Sequence, residues 1–163
     1  MKTIILFTRR NTGLIALSHL VALGHNVMVV TDDDNVKWMA ARLGCKLVSQ
    51  EDLVNYKYDY VFSVHWHRKI PMWAMPDNNG VNFHPCLTIG LKGKDPISRY
   101  IQTGMAHATI DSHYMTSQID EGEVIHTENI LMCMPKSHAE FYNEAFPYYW
   151  KCIDETLNKL LNK

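Results

Sequence analysis

Short apolar runs alternate with stretches of helical periodicity through the first 64 residues, and this alternation limits the possible folds most strongly. Four buried strands are predicted, over residues 3–8, 27–31, 46–48 and 58–64. Two helices are predicted between them, over residues 14–23 and 36–43, each closed by a glycine. Strands that alternate with helices form parallel sheets covered on both faces, so the predicted fold class is α/β.

The second half of the chain predicts a different kind of strand and a long final helix. Strands over residues 107–115 and 124–130 flank a turn, which favours an antiparallel addition to the sheet. A capping box at residues 137–140 begins a last helix that runs to residue 161. Pro147 lies inside this helix and predicts a kink or a break in it.

Length, charge and cysteine spacing restrict the classes of function. The 163 residues predict a single domain over residues 1–163. The net charge is −1 and no Lys/Arg run occurs, so small-molecule substrates are expected as partners rather than nucleic acid or a membrane, and a homodimer is left open. The four cysteines form no C-x-x-C pair, which favours reduced thiols and a cytoplasmic location.

Asn82, His84 and Asp120 are the residues with the clearest chemistry. The strand period of two places Asn82 and His84 on the same side of a short strand that ends at Pro85, with Phe83 turned toward a core. Open α/β sheets bind their ligands at this carboxyl end of the strands. An amide, an imidazole and a carboxylate brought together there could stabilise an oxyanion and move a proton. From residue types alone, a core histidine and a turn aspartate remain an open alternative.

The segment from Val81 to Gly122 resembles the signature of the folate-dependent formyltransferases. It contains Asn82-Phe83-His84-Pro85, Gly93, His113 and Ile119-Asp120-Glu121-Gly122. The order and spacing over residues 59–127 are similar to the Asn-x-His-Pro-Ser, Gly, His and Asp-x-Gly pattern of that family. Two positions depart from the pattern, because Cys86 stands in place of the usual Ser and Leu87-Thr88 in place of Leu-Pro.

The resemblance implies a Rossmann-like formyltransferase fold and formyl transfer from 10-formyltetrahydrofolate to an amine, without a metal ion. It implies that the Asn82 amide and a protonated His84 stabilise the oxyanion, that Asp120 relays the proton of the amine, and that His113 positions the Asp120 loop. The folate is implied to contact residues on two loops: His67, Arg68, Ile70, Ser117, Gln118 and Ile119.

Residues 107–113 show a second polar pattern, in which His107, Thr109, Asp111 and His113 alternate with less polar side chains. A polar strand face packed into a core would leave buried groups unpaired. This face is therefore predicted to border the active site.

The acceptor is predicted from the loop after the first strand and by elimination. Helix N-termini bind anions, so the segment formed by Arg9, Arg10, Asn11, Thr12 and Gly13 is predicted to bind an acceptor phosphate, unless it is a simple connecting turn. The chain has no room for the additional domain expected of a transfer-RNA formyltransferase or of a deformylase. The loop also lacks the Gly-Asn-Gly-Ser-Asn-type sequence of the purine-pathway enzyme. A nucleotide-linked amino sugar is therefore the favoured acceptor.

Three alternatives stay open at this point. The acceptor is phosphoribosylglycinamide or another small amine in the first. In the second, the chain is a metal-dependent hydrolase built on His65, His67 and His84, of which the first two are expected to share a face. In the third, the chain is a folate-binding module without catalytic activity.

Overall fold

The protein is described here by a computed structural model that covers residues 1–162. Its strands are β1 (Thr3–Thr8), β2 (Asn26–Val30), β3 (Lys46–Leu47), β4 (Tyr60–Val64), β5 (Gly80–Pro85), β6 (His107–Tyr114) and β7 (Val124–Leu131). Its α-helices are α1 (Arg10–Ala22), α2 (Asp34–Arg42), α3 (Pro96–Thr103) and α4 (His138–Leu161). Short 3-10 helices cover Glu51–Asn55, Met72–Ala74 and Pro76–Asn78. No helix in this part of the chain combines the length and apolar character needed to cross a membrane.

The strands form one mixed sheet in the order β3-β2-β1-β4-β5-β6-β7. The first five are parallel to one another, whereas β6 is antiparallel to both β5 and β7. The prediction of a mostly parallel α/β sheet with an antiparallel addition is therefore confirmed. The register between β5 and β6 pairs Asn82 with His113 and His84 with Asp111, which puts four polar residues side by side.

Both faces of the sheet are buried, as expected of parallel strands. Ile4 and Leu6 of β1 pack into a large cluster on one face, which also contains residues of α1 and α4. Ile5 and Phe7 point to the other face and pack against Leu53 and other residues of a smaller cluster. Full burial of such a side chain contributes about 1.5–3 kcal/mol. The sheet is therefore a rigid support for the loops at its carboxyl edge.

Three local predictions differ from the structure. Residues 10–13 are not a loop, because α1 begins at Arg10. The N-cap of α2 is Asp33, whose carboxylate accepts hydrogen bonds from the backbone N–H groups of Asn35 and Val36, so α2 begins earlier than predicted. Helix α4 continues through Pro147 as one helix, so of the predicted kink or break the break is not observed. It buries apolar residues on both sides of this proline, and that packing outweighs the hydrogen bond that the proline removes.

Candidate active site

The carboxyl ends of β1, β4 and β5 open into a cavity of about 920 Å³. Strand β5 supplies Asn82 and His84, strand β6 supplies His113, and the turn between β6 and β7 supplies Asp120. Pro85 is the last residue of β5, so His84 lies at the end of this strand. The edge at which an open α/β sheet binds ligands is therefore the edge that carries these side chains.

The carboxylate of Asp120 is the centre of a compact polar cluster. Its Oδ2 lies 3.3 Å from Nε2 of His84 and accepts a 2.9 Å hydrogen bond from the backbone N–H of Gly93. Its Oδ1 lies 3.4 Å from Nδ2 of Asn82 and 3.5 Å from Nε2 of His113. Groups from β5, from β6 and from the segment before α3 thus meet at one carboxylate.

The turn that carries Asp120 depends on Gly122. A Cβ atom at Gly122 would lie 1.7 Å from the carbonyl oxygen of Tyr114, which leaves no room for any other residue. Asp120 itself has φ of 56°, in the left-handed region that is unusual for a residue with a side chain. Strained backbone of this kind is often found at functional sites, where the surrounding structure holds it in place.

Burial and charge set the protonation states of the cluster. Burial raises the pKa of Asp120, but the rings of His113 and His84, whose Nε2 atoms lie 3.5 and 3.3 Å from the carboxylate, and the Gly93 N–H outweigh burial and lower this pKa to about 2. Burial lowers the pKa of His84, and the nearby Asp120 opposes this only in part. Burial dominates at His84 because only 9% of its side chain is exposed. The resting site therefore pairs an ionised Asp120 with a neutral His84, whereas the sequence predicted a protonated His84.

His113 orients the Asn82 amide. Nδ1 of His113 lies 3.0 Å from the carbonyl oxygen of Tyr114, which can only accept, so Nδ1 carries a proton. In the neutral ring, Nε2 is then an acceptor, and Nδ2 of Asn82 donates to it at 3.2 Å. This hydrogen bond directs the amide N–H groups of Asn82 toward the cluster rather than its oxygen.

The residues predicted to bind folate lie on two loops at one side of the cavity. His67, Arg68, Ile70, Gln118 and Ile119 line it. The carbonyl oxygen of Ser117 accepts a 3.0 Å hydrogen bond from Nζ of Lys69, which joins the two loops. The side chain of Ile119 is exposed, so it presents an uncovered apolar surface to the cavity.

The residues predicted to bind the acceptor separate into two groups. Arg9 and Arg10 line the cavity, and Asn11 is exposed. Thr12 and Gly13 are buried in the first turn of α1. A Cβ at Gly13 would lie 2.5 Å from Oγ1 of Thr8, so Gly13 serves the packing of α1 against β1.

Two aspartates on the loop after β2 contact Arg9 and Arg10. Oδ1 of Asp32 lies 3.4 Å from Nε of Arg9, and Oδ2 lies 3.1 Å from the Arg68 guanidinium. Asp33 accepts a 3.0 Å hydrogen bond from the backbone N–H of Arg10. The Arg10 guanidinium has no ion pair with any residue of the described chain. The positive charge on this side of the cavity is therefore partly balanced at Arg9 and free at Arg10.

Thr109 and Asp111 belong to a buried network and not to the cavity wall. The Asp111 carboxylate is fully buried and accepts hydrogen bonds from the Thr88 N–H at 3.1 Å and from the hydroxyls of Thr88, Thr109 and Thr127 at 2.9, 2.6 and 2.7 Å. The prediction that the whole polar face of β6 borders the site is therefore wrong for these two residues. It is also wrong for His107, which is exposed, bonds Asn129 and does not line the cavity. A proline at position 88 would have no N–H to donate, which explains why threonine suits this chain.

The cavity also contains residues that the sequence did not indicate as a site. Tyr142 and His138 of α4 line it, as do Lys92 and Asp95 from the segment before α3. Tyr142 lies in α4, and the spacing of apolar residues in this helix predicts core packing. No short motif marks these positions, because they reach the cavity only through the docking of α4 and α3.

The three histidines of the metal-dependent alternative have separate contacts. Nδ1 of His65 faces Thr12 and Tyr142, Nε2 of His67 faces Asp32 and Arg68, and His84 faces Asp120. His65 has φ of 56°, so the strand alternation from which a shared face was expected ends at His65. Among residues 1–162, no three His, Cys, Asp or Glu side chains are grouped to hold a metal ion.

Comparison with known proteins finds solved structures that are similar to this one. No protein-family model matches the chain, and no curated protein matches it. Glycinamide ribonucleotide transformylase 1 from Geobacillus kaustophilus is 20% identical, with a TM-score of 0.82, and the match covers 99% of both chains. A sugar 3N-formyl transferase solved with dTDP and 5-N-formyl-THF is 16% identical, with a TM-score of 0.76 over 97% of this chain and 64% of that one. A formyltetrahydrofolate deformylase from Pseudomonas putida is 13% identical, with a TM-score of 0.77 over 95% and 63%. At these identities the comparisons establish a shared fold.

Proposed function

Because the chain has the fold of the formyltransferases, we propose that it is a folate-dependent formyltransferase that moves a formyl group from 10-formyltetrahydrofolate to an amine. The observation that carries this proposal is the cluster in which Asn82, His84 and His113 meet the Asp120 carboxylate at a large cavity. An amide donor, an imidazole and an ionised carboxylate are the groups that acyl transfer to an amine requires.

The proposed reaction proceeds through a tetrahedral intermediate. The amine nitrogen attacks the formyl carbon, and the formyl oxygen becomes an oxyanion. The N–H groups of Asn82 and His84 donate hydrogen bonds to this oxygen. A water held by Asp120 takes the proton that the attacking amine loses and passes it to the folate nitrogen, which leaves as a neutral amine. The C–N bond to the acceptor forms as the C–N bond to the folate breaks.

The protonation state of His84 suits this sequence of events. Burial keeps the pKa of the resting imidazole low, and the Asp120 carboxylate already lies 3.3 Å away. A negative oxygen that forms beside the ring adds a second charge, which strengthens the hydrogen bond that the N–H of His84 donates. The strongest interaction of His84 therefore belongs to the transition state and not to the resting enzyme.

The folate is proposed to bind between the loops that Lys69 joins to Ser117. Two observations support this placement. The loops line the cavity on the side of His67, Arg68 and Ile70, and the exposed Ile119 offers an apolar surface for a flat ring.

The acceptor is proposed to be a nucleotide-linked amino sugar whose phosphate lies near Arg9 and Arg10. The unpaired Arg10 guanidinium at the cavity and the N-terminus of α1 support an anionic acceptor. Phosphoribosylglycinamide is the second candidate acceptor. One observation supports it: the match to the Geobacillus transformylase covers 99% of both chains, whereas this chain covers only 64% of the sugar 3N-formyl transferase.

A folate-release assay with a panel of amines tests the proposal. Purified protein is mixed with 10-formyltetrahydrofolate and with nucleotide-linked amino sugars, phosphoribosylglycinamide or simple amines. Turnover with one acceptor is expected, and Asn82→Ala and His84→Ala should each lower it by about 10²–10³-fold, because each removes one oxyanion donor. His107→Ala, a change at an exposed histidine that bonds Asn129, is the matched control and should keep the rate.

Other outcomes of this assay identify the alternatives. Folate binding without turnover on any amine would favour a non-catalytic module. Bound zinc in the purified protein, together with hydrolysis that a chelator abolishes, would favour the metal-dependent hydrolase. Normal turnover in both Asn82→Ala and His84→Ala would exclude the proposed mechanism.

A further inference from the structure

His65 is a cavity residue that the proposed mechanism does not use. It follows β4 directly, and its φ of 56° is unusual for a residue with a side chain. This backbone conformation places the imidazole between Thr12 at the start of α1 and Tyr142 in α4. Residues that hold such strain are often part of a binding site.

Two hydroxyl groups point at one nitrogen of this ring. Nδ1 of His65 lies 3.2 Å from Oγ1 of Thr12 and 3.2 Å from the hydroxyl of Tyr142. Burial raises the pKa of Tyr142 to about 12, so its hydroxyl keeps its proton near pH 7 and can donate it to Nδ1 of His65. An acceptor nitrogen can receive the protons of both hydroxyls, whereas a single N–H would serve only one of them, so this geometry favours Nδ1 as the acceptor.

An Nδ1 atom that accepts hydrogen bonds leaves the proton of a neutral imidazole on Nε2. Burial, followed by the charges of Arg10, Arg9 and His138, lowers the pKa of His65 to about 4, so the ring is neutral near pH 7. Within residues 1–162, Nε2 of His65 has no hydrogen-bond partner, and this atom is not fully buried. Because Nδ1 faces the protein, the opposite edge of the ring presents Nε2–H to the cavity.

We propose that His65 binds the acceptor substrate by donating a hydrogen bond from Nε2–H to a phosphate oxygen that also contacts the Arg10 guanidinium. This inference rests on the proposed function and assigns a residue to its acceptor site. Arg10 attracts the phosphate by its charge, whereas His65 orients the phosphate oxygen by a neutral hydrogen bond. The contribution of His65 is therefore independent of salt, whereas that of Arg10 decreases as the salt concentration rises.

The tautomer of His65 is tested without any substrate. Long-range proton–nitrogen spectra of protein labelled with ¹⁵N-histidine distinguish the two tautomers, and His65→Asn assigns the signal. The expected result is a neutral ring protonated at Nε2 at pH 7, and a Tyr142→Phe variant with more of the other tautomer. A ring protonated at Nδ1, or a charged ring at pH 7, would overturn the proposal.

Binding of inorganic pyrophosphate tests the contact itself. Titration into the wild-type protein should shift the His65 Nε2 signal, and His65→Asn should weaken pyrophosphate binding by about 2–13-fold, as expected for one neutral hydrogen bond. The salt dependence of binding should stay unchanged in His65→Asn and should fall in Arg10→Ala. His107→Asn is the control and should bind as the wild type does.

The outcomes separate this inference from the proposed function. If pyrophosphate binds His65→Asn and wild-type protein equally while formyl transfer proceeds normally, the inference alone is wrong. If the wild-type protein transfers formyl to no amine, the function is wrong, and the tautomer and the pyrophosphate affinity still decide the role of His65. Circular dichroism at pH 7 shows whether His65→Asn is folded, and Tyr142→Phe gives a second test with the ring intact.

Discussion

The Asp111→Ala substitution tests the buried network under the cavity. The wild-type carboxylate accepts four hydrogen bonds, and truncation removes all four. The Thr88 hydroxyl can turn to Thr109, which lies 3.2 Å away, so those two side chains can still pair. The Thr88 N–H and the Thr127 hydroxyl have no other partner in the described chain.

The expected cost follows from these two donors. Thr88 is exposed and Thr127 is half-buried, so water can replace part of what each donor loses, and about 1–2 kcal/mol is expected for each. Asp111→Ala should therefore lower the free energy of unfolding by about 2–4 kcal/mol, which for a chain of this length corresponds to a fall of about 4–16 °C in Tm. Asp111→Asn should cost less, roughly 1–2 kcal/mol, because its oxygen can keep the Thr88 N–H while its amide donates to rotated hydroxyls.

Urea unfolding at pH 7, followed by circular dichroism, measures these differences. Asp34→Ala is the control, since Asp34 is 94% exposed and pairs only with Lys37, and its loss should cost less than about 1 kcal/mol. The reasoning is refuted if Asp111→Ala costs less than about 1 kcal/mol, or if Asp111→Asn costs as much as Asp111→Ala.

Three further predictions concern the cavity. Asp120→Asn should lower turnover in the folate-release assay by about 10²–10³-fold, because it removes the charge and keeps the shape, and full activity would exclude a role in proton transfer. Replacing Arg9 and Arg10 together by alanine should raise the acceptor KM by roughly 10–150-fold with unchanged folate affinity, and an effect that does not shrink with salt would contradict a phosphate contact. The pKa of His65 falls from 6.5 to about 4 on folding, so the unfolded chain binds more protons between these values, and stability present above pH 6.5 is lost as the pH falls toward 4. Urea unfolding at pH 7 and pH 4.5 should show that His65→Asn loses less stability than the wild type, by up to about 3 kcal/mol, and an equal loss would contradict a neutral buried ring.

The sequence predicted the framework of the sheet because its signals are local. The apolar runs and the glycines after α1 and α2 each act within a few residues of the chain. The same is true of the strand that carries Asn82 and His84, whose period of two and terminal Pro85 place both side chains at one edge. The predicted start of α2 at residue 36 was wrong, because the cap lies at Asp33.

Long-range contacts decided what each polar residue does. Thr109, Asp111 and His113 alternate along one strand, and the sequence gives no reason to separate them. Only the folded chain shows that Thr88 covers Asp111, so that this carboxylate is sealed in the core while His113 reaches the cavity. Neighbours from other elements, and not the pattern within β6, set the role of each side chain.

His65 shows the same division most clearly. The sequence places it after a strand, and from there it could be a metal ligand or part of a simple loop. Its protonated nitrogen depends on the hydroxyl of Tyr142, which is 77 residues away in the chain. A strand or a helix follows from the residues along it, because backbone hydrogen bonds and side-chain periodicity are local. The tautomer, pKa and exposure of a side chain follow from the groups that packing brings against it, and for His65 only the tertiary structure determined them.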